Sequence, residues 1–166
     1  MNIREYNQND IGQIKNLLVQ LQDYIIKMDK YNLNILSPKY REEYFEYMLN
    51  DCISNEGKIF VAEYENKIAG FVAGFVQNYD ERDKLDYACP KKGIVSELVV
   101  DQNFRNDGIG GLLLDKIENY FKNIKCEFIQ IDVFAYNQVA EHFYKKKGYE
   151  NRMLTMFKKV IHKDLY

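Results

Sequence analysis

The 166-residue chain sets 23 Lys and Arg against 25 Asp and Glu, a formal net charge of −2. Near-neutrality argues against a polyanion-coating protein, and a composition that is 46% hydrophobic and 14% aromatic excludes intrinsic disorder. This length suits one domain, so residues 1–166 are expected to form a single domain with a polar tail from about residue 161.

Charge is uneven along the chain. Residues 1–90 hold 10 basic and 15 acidic side chains, and residues 91–166 hold 13 and 10. The second half therefore has room for a local anion site and the first for a cation site. The polar start MNIREYNQNDIG is unlike a secretory leader, and no stretch reaches the roughly 18 to 20 apolar residues that cross a bilayer. A cytoplasmic location with no membrane partner is expected. Cys52, Cys89 and Cys126 are odd in number, far apart and without a CxxC, which suggests neither a disulfide framework nor a metal site.

In chain order, residues 2–6 read as a strand. Asn9 or Asp10 can then cap a helix on which Ile11, Ile14, Leu17, Leu18, Leu21 and Ile25 recur at helical spacing. After a polar break, Ser37-Pro38 offers a cap and a first-turn proline to a second helix carrying Tyr40, Tyr44, Tyr47 and Met48. Residues 58–64 and 67–77 suggest two antiparallel strands around the turn Glu65-Asn66. Residues 78–92, with Asp80, Glu81, Arg82, Asp83 and Lys84, read as a solvated loop. A strand over 93–100 precedes a helix buried through Leu112, Leu113, Ile117 and Phe121. A strand over 127–134, a short helix capped by Asn137 and stopped by Gly148, and a last strand over 152–160 complete the chain. This order predicts an α/β fold, a mixed central sheet flanked by helices on both faces, with ligands at strand ends.

The most specific local feature is Arg105-Asn106-Asp107-Gly108-Ile109-Gly110-Gly111, between an apolar strand and an apolar-periodic helix. Glycines at a helix entrance let the backbone turn tightly and present successive N–H groups, a setting that favours a phosphate, to which Arg105 can add a charge-assisted contact. The same glycines also suit close helix–strand packing with Arg105 in solvent. The dinucleotide GxGxxG is absent, and so is the GK[ST] that ends a Walker A loop.

Val95-Ser96-Glu97-Leu98-Val99-Val100, then Arg105-x-x-Gly108-x-Gly110, then Asn137-x-x-Ala140-x-x-Phe143-Tyr144-x-x-x-Gly148-Tyr149 resembles the GCN5-related N-acetyltransferase (GNAT) superfamily, over about residues 2–160. The resemblance implies a GNAT-like sheet of about six to seven strands and acetyl-CoA as the cofactor. Residues Arg105, Asn106, Asp107, Gly108, Ile109, Gly110 and Gly111 would then hold the pyrophosphate beside Leu98, Val99 and Val100. Asn137 would lie by the pantetheine arm, and Tyr144 by the departing sulfur. Gln102 and Asn106-Asp107 depart from the Pro and Gly-Lys common in that family, and Asp107 sets a carboxylate close to an anion. The implied catalytic pair is Tyr144 as proton donor to the thiolate and Glu97 as base for the arriving amine, with a backbone N–H around Leu98–Val99 for the oxyanion and no metal.

The acceptor region implied by the resemblance, residues 24–48 and 78–92, is acidic and aromatic. Tyr24, Asp29, Tyr31 and Glu81, with Tyr40, Tyr44, Asp80, Asp83 and Asp86, could receive a cationic amine. The expected partner is an amine-bearing small molecule or a protein amine, and a homodimer is an open option. A domain that binds acetyl-CoA to sense it, without turnover, is the alternative. Nucleic acid is not an expected partner, since Lys145-Lys146-Lys147 and Lys158-Lys159 belong to no recognised motif and Asp107, Asp115 and Glu118 break any broad basic face. His142 and His162 form no evident triad with Cys126.

Overall fold

A computed structural model describes residues 1–160. The chain forms two compact units, Met1–Asp132 and a smaller one from Val133 onward. His162 and the expected polar tail lie outside the described residues.

The larger unit holds five strands in the order β1 (Asn2–Glu5), β2 (Lys58–Tyr64), β3 (Lys67–Val76), β4 (Lys92–Val100) and β5 (Phe128–Ile131). The first four are antiparallel neighbours and β5 runs parallel to β4, so the sheet is mixed as expected. Three helices, α1 (Ile11–Met28), α2 (Tyr40–Ser54) and α3 (Ile109–Asn123), cover it. On one face Ile14, Leu17 and Leu18 of α1 meet Phe45 and Met48 of α2 over Ile59, Val61, Phe71, Ala73 and Val99. On the other face α3 buries Leu113, Ile117 and Phe121. No helix among the described residues is long and apolar enough to cross a membrane.

Local chemistry explains the element ends. Neither Asn9 nor Asp10 caps α1 through its side chain. Asn7 accepts from the Asn9 amide at 2.9 Å, and Asp10 accepts from the Asn7 amide at 2.7 Å. The Asp10 carboxylate is buried because Arg4 grips it at 2.7 and 2.9 Å while also reaching Glu63 at 2.8 Å. That guanidinium holds the Asp10 carboxyl below its ordinary value. Ser37 does not cap α2 either. Its carbonyl accepts from the Tyr40 amide at 3.0 Å, so Ser37-Pro38 form the turn before the helix and Lys39 stands at its start.

The register of β3 against β4 slips once. Ala73 faces Glu97, yet Gly74 faces Val95, which leaves Ser96 surplus in β4 as a bulge. Pairing of β4 with β5 runs from Lys92↔Phe128 to Val95↔Ile131 and ends where that bulge begins. The expected strand over 127–134 is thus cut to four residues. The strand expected over 152–160 does not form, and the described sheet has five strands rather than six to seven. Met153, Leu154, Met156, Phe157 and Val160 are apolar but do not alternate, so they offer no single face to a sheet, and all are exposed.

The loop over 78–92 is solvated in part. Tyr79 and Tyr87 pack with ring centres 5.7 Å apart, Lys92 lies over both, and the Tyr79 hydroxyl donates to the Pro90 carbonyl at 3.0 Å. In the smaller unit α4 (Gln138–Lys146) begins as expected, with the Asn137 side-chain oxygen accepting from the Ala140 amide at 3.1 Å.

Gly74 sits at the slip in register. A Cβ there would stand 2.6 Å from the Ile94 carbonyl oxygen and 2.9 Å from Phe121 Cζ. Gly74→Ala should therefore lower stability by about 1–3 kcal/mol, read from the urea midpoint at unchanged m-value.

Candidate active site

Beyond Val95 the edge of β4 that faces β5 has no strand partner among the described residues, so this edge is left unpaired along Ser96–Val100. Side chains alternate between faces, and the extra residue inverts that alternation. Val95 lies opposite Gly74, whose face meets Phe121 of α3. Glu97 lies opposite Ala73, a member of the core under α1 and α2. The bulge therefore carries a carboxyl group to the helix-covered interior.

Glu97 is only 8% exposed. Burial pushes its carboxyl up to about 7, against an ordinary value of 4.5, while a hydrogen bond from Tyr44 pulls the other way. The Tyr44 hydroxyl donates to Glu97 Oε1 at 2.5 Å. Its ring stacks on Tyr40 with centres 4.6 Å apart and planes at 20°. Burial and the Glu97 charge raise the Tyr44 phenol well above its ordinary range, and burial does the same for Tyr40. The sequence showed these tyrosines as one aromatic face; that the face supplies the donor to Glu97 was not legible, since nothing local joins residues 53 positions apart.

Leu98, Val99 and Val100 lead from Glu97 to the glycine-rich loop. Arg105 Nε donates to the Val100 carbonyl at 3.3 Å, and its guanidinium lies 5.4 Å from the ring centre of Tyr24 on α1. Asn106 (φ 71°) and Gly108 (φ 76°) both take left-handed backbone, and α3 starts at Ile109. Alternating handedness of this kind turns successive N–H groups to one side, as in anion nests. The Gly108 carbonyl accepts from Gly111 and Leu112 at 3.0 and 3.2 Å, which leaves the first-turn N–H groups of Ile109 and Gly110 outside the intrahelical pattern. Gly108 has no atom within 4 Å of a would-be Cβ, so its need is for conformation rather than space. Asp107 is exposed at the rim.

The acceptor set fares unevenly. Asp29 is buried, and its oxygens accept from the amides of Tyr31, Leu33 and Asn34 at 3.0, 2.7 and 2.9 Å and from the Asn34 side chain at 2.9 Å. Its carboxyl is pulled down to about 2 by the Asn34 side chain and these amides, so it shapes the loop after α1 instead of meeting a cation. Glu81 projects into solvent and pairs with Lys84 at 2.5 Å. Tyr24 lies under Arg105 of the glycine-rich loop rather than with the other acceptor candidates, and Tyr31 lies beside Lys30, 5.0 Å away. In the smaller unit Tyr144 is half-buried on α4, its ring 5.1 Å from that of Phe143 and 5.8 Å from that of Tyr149.

The raised Glu97 carboxyl ties stability to pH. Between pH 4.5 and about 7 the folded state holds a proton that the unfolded chain has lost, so stability falls as pH rises through that window. The fall attributable to this group is at most about 3 kcal/mol. Glu97→Gln should remove most of it, measured as urea midpoints of both proteins across the same pH range.

The sequence matches the Acetyltransferase (GNAT) family model over residues 25–149. It is 32% identical over 96 residues to the uncharacterized N-acetyltransferase MJ1530 of Methanocaldococcus jannaschii, covering 57% of this chain and 54% of that one. It is 25% identical over 151 residues to an N-alpha-acetyltransferase of Sulfurisphaera tokodaii, covering 90% and 87%. Among solved structures, a point mutant of the BH1408 protein from Bacillus halodurans superposes with a TM-score of 0.82 at 22% identity, covering 97% of this chain and all of the other, which shows a shared fold. The chain spans about half the length of the first curated relatives it matches.

Proposed function

Because this chain belongs to the acetyltransferase (GNAT) family, we propose that it is an acyl-CoA-dependent N-acyltransferase, moving the acetyl group of acetyl-CoA to a primary amine by direct attack in a ternary complex. The observation that carries this reading is Glu97: a buried carboxyl of pKa about 7, beside the unpaired edge of β4 and one strand-length from the glycine-rich loop. A base poised near neutrality both accepts a proton and gives it up again, which an ordinary carboxylate does less well.

The loop residues fit an anionic cofactor. Asn106 and Gly108 preset the turn, Ile109 and Gly110 offer first-turn amides, and Arg105 adds charge. Asp107 stays at the exposed rim, where solvent screens it. When bound, acetyl-CoA supplies an activated thioester whose acyl carbon accepts nitrogen and whose sulfur departs. Glu97 takes the proton that the substrate ammonium must lose, directly or through water. A backbone N–H around Leu98–Val99, on the edge of β4 away from β3, would donate to the oxygen that gathers charge. By the family resemblance Tyr144 would be the proton donor to the departing sulfur, and Asn137, whose side-chain oxygen accepts from the Ala140 amide, would lie by the cofactor arm.

The acceptor is an amine on a small molecule or on a protein. The likeness to an N-alpha-acetyltransferase adds peptide N-termini to the panel worth testing. The direct test is an acceptor panel that follows CoA release and identifies the acetylated product by mass. Acetyl-CoA binding with no CoA release across the panel would support a sensing domain instead.

Two sets of variants separate chemistry from binding. Glu97→Gln is expected to lower kcat/KM by about 10²- to 10⁴-fold and Tyr144→Phe to lower kcat, both with acetyl-CoA affinity nearly unchanged by calorimetry. Gly108→Val forces a β-branched residue toward φ 76° and is expected to weaken acetyl-CoA binding, so unchanged affinity would remove this loop from the cofactor site.

A further inference from the structure

Glu97 offers two oxygens to very different surroundings. Oε1 accepts from Tyr44 at 2.5 Å. Among the described residues Oε2 accepts no hydrogen bond, and the one fully buried side-chain oxygen or nitrogen without a partner is Gln20 Oε1, so Glu97 Oε2 is not wholly shut off from solvent. We propose that Tyr44 is a positioning residue: it pins Oε1, leaves Oε2 without a protein donor, and so selects the oxygen that takes the substrate's proton. This rests on the reading of Glu97 as the base.

Tyr44 is well placed to hold a fixed direction. It lies one helical turn after Tyr40, on whose ring it stacks, and the next residue, Phe45, is fully buried in the core. Ala73 of β3 faces Glu97 across the ladder and brings no charge. Tyr44 of α2 is the titratable group that acts on Glu97; the Glu97 charge acts in turn on Tyr44 and Tyr40, and Tyr40 and Asp51 act on Tyr44, while no charged group of α1, β3 or β4 adds to Tyr44 at Glu97 among the described residues. The Tyr44 phenol resists ionisation in this setting and remains a donor throughout the working pH range.

The proton balance is simple. An N–H bond of the substrate ammonium breaks, its electron pair stays on nitrogen, and an O–H bond forms at Glu97 Oε2. The Tyr44 O–H bond is unchanged. A donor held against one carboxylate oxygen favours the charged form, so its loss raises the pH at which Glu97 becomes a base.

The test is the pH profile of kcat/KM for acetylation of the best acceptor in the panel. Tyr44→Phe should move the acid limb upward by about one to two pH units, with acetyl-CoA affinity unchanged. Tyr44→Met, which also lacks the donor but fills space adaptably, should give the same shift if Phe packs poorly. Carbon-13 titration of the Glu97 carboxyl, assigned by its absence in Glu97→Gln, should report the same displacement without turnover. A folded Tyr44 variant whose acid limb and carboxyl titration both match wild type overturns the role of Tyr44 alone, provided Glu97→Gln is impaired. Full turnover by Glu97→Gln overturns the base assignment itself.

Discussion

One surplus residue in β4 organises the larger unit. Because strand side chains alternate, a single insertion at Ser96 exchanges the faces of everything after it. Without it Glu97 would lie on the α3 side and Tyr44 could not reach it. The same bulge coincides with the end of β4–β5 pairing at Val95, so strand edge and carboxyl become available at one place. The small side chain of Ser96 lets its hydroxyl reach back to the Ala73 carbonyl at 3.3 Å, which ties the bulge to β3.

The acidic groups show how much surroundings decide. Asp29, with four N–H donors, falls to about 2, whereas Glu97, with a single donor and a burial that dominates its surroundings, rises to about 7. Asp10 is held by Arg4, and Glu42 by Lys15 and Arg41. The acidic surplus of the first half is therefore largely committed to turns, helix starts and ion pairs. Net charge by itself is a poor guide to a cation site, and the uncommitted oxygen of one buried carboxyl carries more chemical meaning.

Most of the fold was legible because its elements declare themselves locally. Helical spacing of Ile14, Leu17 and Leu18 marked α1, Glu65-Asn66 marked the β2–β3 turn, and Asn137 marked the start of α4. What escaped was relational. Nothing in residues 93–100 distinguishes a bulged strand from a regular one, and the last strand was inferred from apolar composition where alternation was missing. At the site, Glu97 and the loop from Arg105 to Gly111 stood out by type and position. The amides that Asp29 collects were not legible, because an unpaired-looking acid in a polar stretch is indistinguishable, in sequence, from one that accepts several backbone N–H groups. The contact of Tyr24 with Arg105 was hidden for a similar reason, since nothing local joins a helix residue to a loop so far along the chain.

The left-handed turn at Asn106 and Gly108 has an entropic side. Its backbone is bent at both residues, and Arg105 is anchored to Val100 and laid over Tyr24. A loop held between the sheet and α3 in this way has less ordering left to undergo on meeting a phosphate than a floppy one. On the proposed reading, an anion arriving there would keep more of its interaction energy as affinity, and the loop would select for the shape of the anion as much as for its charge.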